Sequence, residues 1–516
     1  MWRAPAVSLG LLLVAYLEFK FFPGHTYLAG RSQLYLPILE HLATPGYLSR
    51  DLVATHPNVA YTVYDEVTLF LRAGGRLDFH KALVLQQEAC RLAGLVGVFL
   101  LARAAGLKRL PAFATASVIN LGTFLPGPNV LLIDGEPVPR AFSFNLVFLA
   151  MGLLAREKPL LAGLAGGFAL LYDPVAGAPF WVALSIAFVL DRKLRRLLRP
   201  IAPFFVVFIL LLANLAQLQP GTPDSQGLFD RFTGSVAAIQ KFRNPELWIS
   251  LWPAQFVYLY FALFVISIWA STRIRPALNK QTKWLVTILP LLGILTMPLS
   301  GVLVEHYRSS AILRFEPMQM LTYTVELAWF VCLIAAFRAI KIRARAEALA
   351  WFAISLLLLV VPSTRRLPLQ KPASTTADLA AWAETSTWGS SMFLFPDAGA
   401  GLYPGAFRAQ SRRALWVDWQ GGGQISSNVA LAPEWSRRWH STMEGPLSGD
   451  HLQNMLPLPV DYFVFGSNYV VEAVSAAGIS SALAPAFSKG PFRVYDAETL
   501  RIVPGRLALK RVAPNT

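Results

Sequence analysis

Apolar residues along this chain gather into long runs that polar clusters interrupt, and the runs are of membrane-crossing length. Eleven spans are predicted, near residues 5–22, 84–102, 110–133, 141–155, 159–172, 174–190, 200–218, 251–270, 284–304, 318–337 and 349–363. A helix of roughly 20 apolar residues crosses a hydrocarbon core, and several of these windows of about 15 to 22 residues carry no charge. The third span and the fifth–sixth pair contain breaks, Pro126-Gly127-Pro128 and Asp173-Pro174, so broken or re-entrant segments are expected there.

Most predicted connections are short, but the polar interval from Pro23 to Lys81 is long. It holds four of the seven histidines (His25, His41, His56, His80) and the carboxylates Glu40, Asp51, Asp65, Glu66 and Asp78. Within it, Leu34, Ile38 and Leu42 fall one turn apart over Ser32–Ala43, and Val63, Val67, Phe70 and Leu71 form a stripe over Ala60–Arg72. Both predict amphipathic helices lying apolar face down on the membrane surface, with Asp65 opposite the second stripe and facing water or a cavity.

After Pro362 the pattern changes. A Pro-, Ser-, Thr- and Arg-rich linker is predicted over 364–376, and a compact α/β domain over 377–516. Helical patterns lie at 377–385, 429–440 and 448–456, and strand-like runs at Met392–Phe395, Ala414–Trp419, Tyr462–Phe465 and Phe492–Tyr495. Residues 1–363 form the predicted transmembrane part, with the first outer loop at 23–83.

Composition agrees with this division: 55% of residues are hydrophobic, 15% are charged, and mean hydropathy is +0.47. Soluble domains run near a quarter charged. The net charge of +16 would fit a nucleic-acid binder, but the positions of the charges exclude that reading. One alternating set of loops carries nineteen Lys and Arg, from Arg3 through Arg345, and the opposite set of short loops carries six. That is the positive-inside asymmetry, placing the N-terminus in the cytoplasm and the Pro23–Lys81 loop and the tail outside. The N-terminal run lacks a small-residue cleavage site and is expected to remain as a first span. Cys90 and Cys332 sit in separate apolar stretches, which excludes a disulfide framework. Gly421-Gly422-Gly423 lacks the phosphate-loop pattern, and no metal-ligand spacing, serine elbow or dinucleotide fingerprint occurs. No metal or other cofactor is implied.

Several local patterns carry a resemblance. They are Gly30-Arg31-Ser32-Gln33-Leu34-Tyr35-Leu36-Pro37 with Arg50-Asp51, Glu136-Pro137-Val138-Pro139-Arg140, and Leu379-Ala380-Ala381-Trp382-Ala383 with Phe393-Leu394-Phe395-Pro396. Trp416-Val417-Asp418-Trp419 and Glu434-Trp435-Ser436-Arg437-Arg438 continue the last of them. With the order of spans, large first loop and C-terminal outer domain, the chain resembles the GT-C superfamily of integral-membrane glycosyltransferases. The fold expected is thus an α-helical polytopic membrane protein of about eleven transmembrane helices with a C-terminal extracytoplasmic α/β domain.

The resemblance implies transfer of a sugar from a polyprenyl-phosphate-linked donor to an envelope glycan, lipid or protein acceptor. The transfer would be direct and inverting, at the outer face of a bacterial cytoplasmic membrane. Such chemistry needs a carboxylate to take the acceptor's proton and cations beside the leaving phosphate. Asp51, Asp65, Glu66, Asp134 and Glu136 are the candidate bases, and Arg140, His306, Arg308 and Arg314 the candidate phosphate binders. Each has a plainer role: Asp51 as a cap or partner of Arg50, Asp134 as a turn residue before Gly135, the arginines as headgroup anchors. Many members of the superfamily carry an acidic residue soon after the first span, where this chain has Arg31-Ser32. Either Asp51 or the Asp65–Glu66 pair takes that role, or the chain is a non-catalytic relative, an assembly partner or a transporter of lipid-linked saccharides. Apart from Glu18, Glu88, Arg91 and Glu326, charged residues deep in the spans are scarce.

Overall fold

The computed structural model describes residues 3–57, 62–218, 230–275, 278–363, 372–476 and 478–512. The first part is a bundle of helices. Arg3–Lys20 leads into the first loop, and Phe79–Ala104 starts where Asp78 accepts the Lys81 N–H at 2.7 Å. Asp173 ends Pro159–Tyr172 and caps Pro174–Leu190 by accepting the N–H groups of Val175 and Ala176, so the Asp-Pro break predicted there is a cap between two helices. The break within 110–133 is larger. Arg109–Ile119 is helical, and Phe124–Leu125 then pairs antiparallel with Val130–Leu131 around a turn in which Gly127 and Asn129 have positive φ. The predicted third span is thus a short helix plus a hairpin.

Among the described residues, five helices are long and apolar enough to cross a membrane by length and composition, including Phe79–Ala104, Ala254–Ile274 and Pro317–Lys341, and Pro139–Ala155, Pro159–Tyr172 and Pro174–Leu190 are shorter apolar helices. Leu321–Lys341 is buried along nearly its whole length and forms the axis of the bundle. Outward faces keep large apolar side chains exposed, including Leu9, Leu13, Leu210, Tyr258, Val265 and Leu356, as a multi-pass membrane protein requires. Phe79–Ala104 and Pro139–Ala155 cross with backbones nearly touching. A Cβ on Gly97 would lie 2.3 Å from the Phe148 carbonyl, and one on Gly152 would lie 2.3 Å from the Gly97 oxygen. Small residues at such crossings let dispersion contacts form between helices that lipid would otherwise separate. Cys90 and Cys332 are buried free thiols.

The C-terminal region carries a five-stranded mixed sheet. In spatial order its strands are Ala414–Leu415, Met392–Leu394, Tyr462–Gly466, Phe492–Asp496 and Phe487–Lys489. The first three are parallel, with Phe393 opposite both Leu415 and Tyr462, and the last two add antiparallel, with Phe463 opposite Tyr495. A second sheet pairs Arg506–Arg511 and Ser480–Ala482 with the two edges of Tyr469–Val474. The predicted strand 414–419 is only two residues long, because the chain turns at Asp418 into the glycine-rich 3-10 segment Gly421–Ile425. Of the predicted linker, residues 364–371 lie outside the described residues, as do residues 60–61 of the second predicted surface helix.

The two helices of the first loop are present, at Ser32–Ala43 and Tyr64–Gly75, but the first does not lie on lipid. Its residues from Ser32 to Glu40 are all buried except Tyr35. Leu34 and Ile38 share an apolar cluster with Ala406 and Ala409 of the C-terminal helix Tyr403–Ser411, so protein covers the apolar face. On the second helix Asp65 is buried rather than facing water, while Phe70 is exposed.

Candidate functional site

Burial sorts the candidate carboxylates. Asp51 is fully buried between the first loop and the C-terminal sheet. Its Oδ1 accepts the Val53 and Ala54 N–H groups at 2.9 and 3.1 Å, and its Oδ2 accepts the Leu415 N–H at 2.9 Å. Arg408 stands 3.8 Å away, bonded to Asp418 at 2.8 Å and donating to the Gln33 carbonyl. Burial raises the Asp51 pKa, and the Arg408 charge and the backbone donors oppose that rise. Asp418 accepts the Gly421 N–H, and a Cβ on Gly421 would meet Asp418 Oδ1 at 2.5 Å, so the glycine run follows from close packing at this junction.

Glu136 is similarly saturated. Its Oε1 accepts the N–H groups of Ala29 and Gly30 and the Ser32 hydroxyl at 2.9, 2.7 and 2.8 Å, and its Oε2 accepts the Ser32 N–H at 3.1 Å. Burial raises its pKa, and Asp134 adds to the rise. Asp65 is buried beside an exposed Glu66, and desolvation together with that like charge pushes its pKa up to about 8. His306 and Arg308 are exposed, Arg308 at φ 58°. Arg314 is half-buried, and its Nε has no hydrogen-bond partner.

The structure brings Asp134 and Arg140 together. Arg140 Nη2 donates to Asp134 Oδ2 at 3.0 Å, while Asp134 Oδ1 accepts the Glu136 N–H at 3.1 Å. The Asp134–Gly135 backbone is fixed from below by Phe79–Ala104: Arg91 donates to the Asp134 and Gly24 carbonyls, and Gln87 to the Gly135 carbonyl. Arg140 is buried, and its Nη1 finds no partner. An unengaged buried donor is costly in a folded protein and calls for a ligand or water.

Around this pair stand charged groups that the candidate set lacked. Arg31 and Tyr35 come from the first loop, Asp173 from the helix junction, Glu246 from the 3-10 turn Pro245–Leu247, and Glu316 from the turn before Pro317–Met320. All five are half-buried. The charges of Arg31, Asp134, Glu316 and Asp173 act on Arg140, and those of Asp173, Arg31, Glu316 and Arg140 act on Tyr35. Burial works against the Arg31 charge, but Glu316 foremost, then Asp134 and Glu246, holds its pKa above the usual arginine value. Burial also raises the Glu246 pKa. These groups are partly enclosed and still touch solvent, so they form a half-buried cluster of ionisable side chains. Among the described residues, no three His, Cys, Asp or Glu side chains are placed to hold a metal ion.

Two features of the sequence could have led here, of which only the first was read. Arg31 stood where an acidic residue was expected, and Glu316-Pro317 puts a charge at a conformationally restricted position. Asp173-Pro174 was legible only as a break.

No protein-family model matches the chain, and no curated protein matches it. Among solved structures, the chain is similar in arrangement to three proteins. The oligosaccharyltransferase of Archaeoglobus fulgidus, tethered to an acceptor peptide, is 12% identical over 94% of this chain and 74% of its own, with a TM-score of 0.47. ArnT from Cupriavidus metallidurans, bound to undecaprenyl phosphate, is 13% identical over 98% and 99%, with a TM-score of 0.42. The arabinofuranosyltransferase AftD from Mycobacteria is 14% identical over 96% and 42%, with a TM-score of 0.46. Likenesses at this distance concern overall arrangement and carry nothing about activity.

Proposed function

We propose that the chain is a glycosyltransferase of the bacterial cytoplasmic membrane. It moves a sugar from a polyprenyl-phosphate-linked donor to a glycan, lipid or protein acceptor on the extracytoplasmic side, by direct inverting displacement with a carboxylate base. The observation that supports this reading is the cluster itself, where a buried arginine with an unengaged Nη1 feels the charge of carboxylates drawn from several loops. A guanidinium fork suits a phosphate, and a site of restricted solvent access strengthens its hold on the charge that grows there as the sugar leaves. Asp134 orients Arg140, while Asp51 and Glu136 are assigned to tying the loops together, since backbone donors already occupy their oxygens.

The test is binding of undecaprenyl phosphate to the full-length protein in nanodiscs, with undecaprenol as the control lacking phosphate. Preference for the phosphate by at least about tenfold, lost in Arg140→Gln, is the expected result, as one charge-assisted contact contributes about 1.5–3 kcal/mol. Equal binding of the alcohol and the phosphate by the wild type would refute the reading.

A further inference from the structure

The turn that carries Arg31 is built to hold its backbone still. Glu136 binds the backbone or hydroxyl of Ala29, Gly30 and Ser32 in four hydrogen bonds of 2.7–3.1 Å, so both flanks of Arg31 are pinned. The guanidinium itself makes no hydrogen bond or ion pair with a described residue, and it faces Glu316, Asp134 and Glu246. A cation on a pinned backbone with its donors unengaged is organised for something that is not part of the chain.

Glu316 is held with equal care. It has φ 39° and ψ 58°, a left-handed conformation in a non-glycine residue, directly before Pro317. Both features are sterically disfavoured, and such positions persist where the surroundings over-determine them, commonly at functional sites. The surroundings here are Gln319, which donates to Oε2, and Ser426 of the C-terminal region, which donates to Oε1 at 3.0 Å. The Glu316 charge acts on Arg31, Arg140, Tyr35, Asp173 and Glu246. Two of the neighbouring carboxylates have other engagements. Asp134 pairs with Arg140, and Asp173 Oδ1 caps a helix. An ionised carboxylate has about four acceptor sites, so Glu316 keeps capacity after its two bonds.

We propose that Arg31, together with Arg140, binds the leaving phosphate and that Glu316 is the base that takes the acceptor's proton. This rests on the transferase reading above. The acceptor oxygen attacks C1 of the donor sugar on the face opposite the phosphate, and the new C1–O bond forms as the C1–O bond to phosphate breaks. The electron pair of the broken bond leaves with the polyprenyl phosphate, whose added charge meets the two arginines. The hydroxyl proton passes to Glu316, which returns it to water once the product has left.

The full-length protein in nanodiscs is assayed in two ways: binding of undecaprenyl phosphate, and its release from synthetic undecaprenyl-phosphate-linked pentoses and hexoses with extracted bacterial envelope glycan added as the acceptor. Arg31→Gln is expected to weaken phosphate binding about tenfold, with Arg31→Lys falling between it and the wild type because it keeps the charge and loses the fork. Glu316→Gln is expected to bind the phosphate as well as or better than wild type and to release it at least about a hundredfold more slowly, the usual scale for losing a general base. The melting temperature of each variant shows that it is folded, and Glu316→Asp serves where the glutamine variant is not. Binding unchanged in both Arg31 variants overturns the phosphate role. Release within threefold of wild type in Glu316→Gln overturns the base role, as does a wild type that binds phosphate but releases none from any donor. A wild type that does not prefer undecaprenyl phosphate to undecaprenol overturns the transferase reading itself, which separates the two failures.

Discussion

Truncating Asp51 to alanine separates a structural tie from a catalytic base. In the structure this carboxylate holds three backbone N–H groups and stands 3.8 Å from the buried Arg408. Leu415 is 2% exposed, so its N–H would lose its acceptor with little access to water. One orphaned buried donor costs about 1–3 kcal/mol. Arg408 keeps Asp418 at 2.8 Å, so removing Asp51 deprives it of only part of its counter-charge. With the Val53 and Ala54 bonds added, a loss of about 3–5 kcal/mol follows, concentrated where the first loop meets the sheet. Hydrogen exchange on the full-length protein measures this directly. Amides near 51–55 and 392–416 are expected to exchange at least about a hundredfold faster in Asp51→Ala, since about 1.4 kcal/mol corresponds to a factor of ten. Undecaprenyl phosphate affinity is expected to change by less than threefold. Unchanged exchange together with abolished release of phosphate from a donor would show that Asp51 is the base and that the structural reasoning is wrong.

Two further outcomes are expected. Gly97→Ala should cost at least about 1–3 kcal/mol, read as a lower melting temperature and folded yield, because backbone rather than a movable side chain stands 2.3 Å from the new Cβ. Gly301→Ala, where nothing lies within 4 Å, should be neutral, and equal melting of the two variants would remove the close-crossing argument. Asp65 has a folded-state pKa raised to about 8 from an ordinary 3.8. Between those values the folded protein keeps a proton that the unfolded chain has lost, so stability falls as pH rises through that window, by about 1.4 kcal/mol per pH unit. The melting temperature should therefore drop between pH 5 and pH 8.5 in the wild type and drop less in Asp65→Asn, and parallel profiles would refute the assignment.

Much of the fold was legible because hydrophobic periodicity is a local signal. Helices lie at most of the predicted spans, and the central strands Met392–Leu394, Tyr462–Gly466 and Phe492–Asp496 fall where apolar β-formers cluster. The strands missed were Tyr469–Val474, Ser480–Ala482, Phe487–Lys489 and Arg506–Arg511, which are largely half-buried or exposed and mix charge with apolar residues. An edge or solvated strand owes its conformation to the partner it pairs with, and that partner lies far along the chain. The span at 110–133 was misjudged in extent because hydropathy averages over Pro126-Gly127-Pro128, whereas the backbone turns there into a hairpin.

The site was less legible, for a different reason. Sequence identifies a carboxylate but says nothing of what its oxygens will meet. Asp51 and Glu136 stood out in their motifs, and both are consumed by backbone donors from segments 364 and about 105 residues away. Arg31 was visible as a departure from a pattern, but its meaning depends on Glu316, 285 positions later by subtraction of their residue numbers.

The order of apolar runs by itself determined that this chain is a multi-pass membrane protein with a polar first loop and an α/β tail, since transfer of side chains from water depends on local composition. Which charges stand together in the half-buried cluster was decided only by the tertiary structure. Coulomb and desolvation energies depend on distance and enclosure in space, and no spacing along the chain contains either.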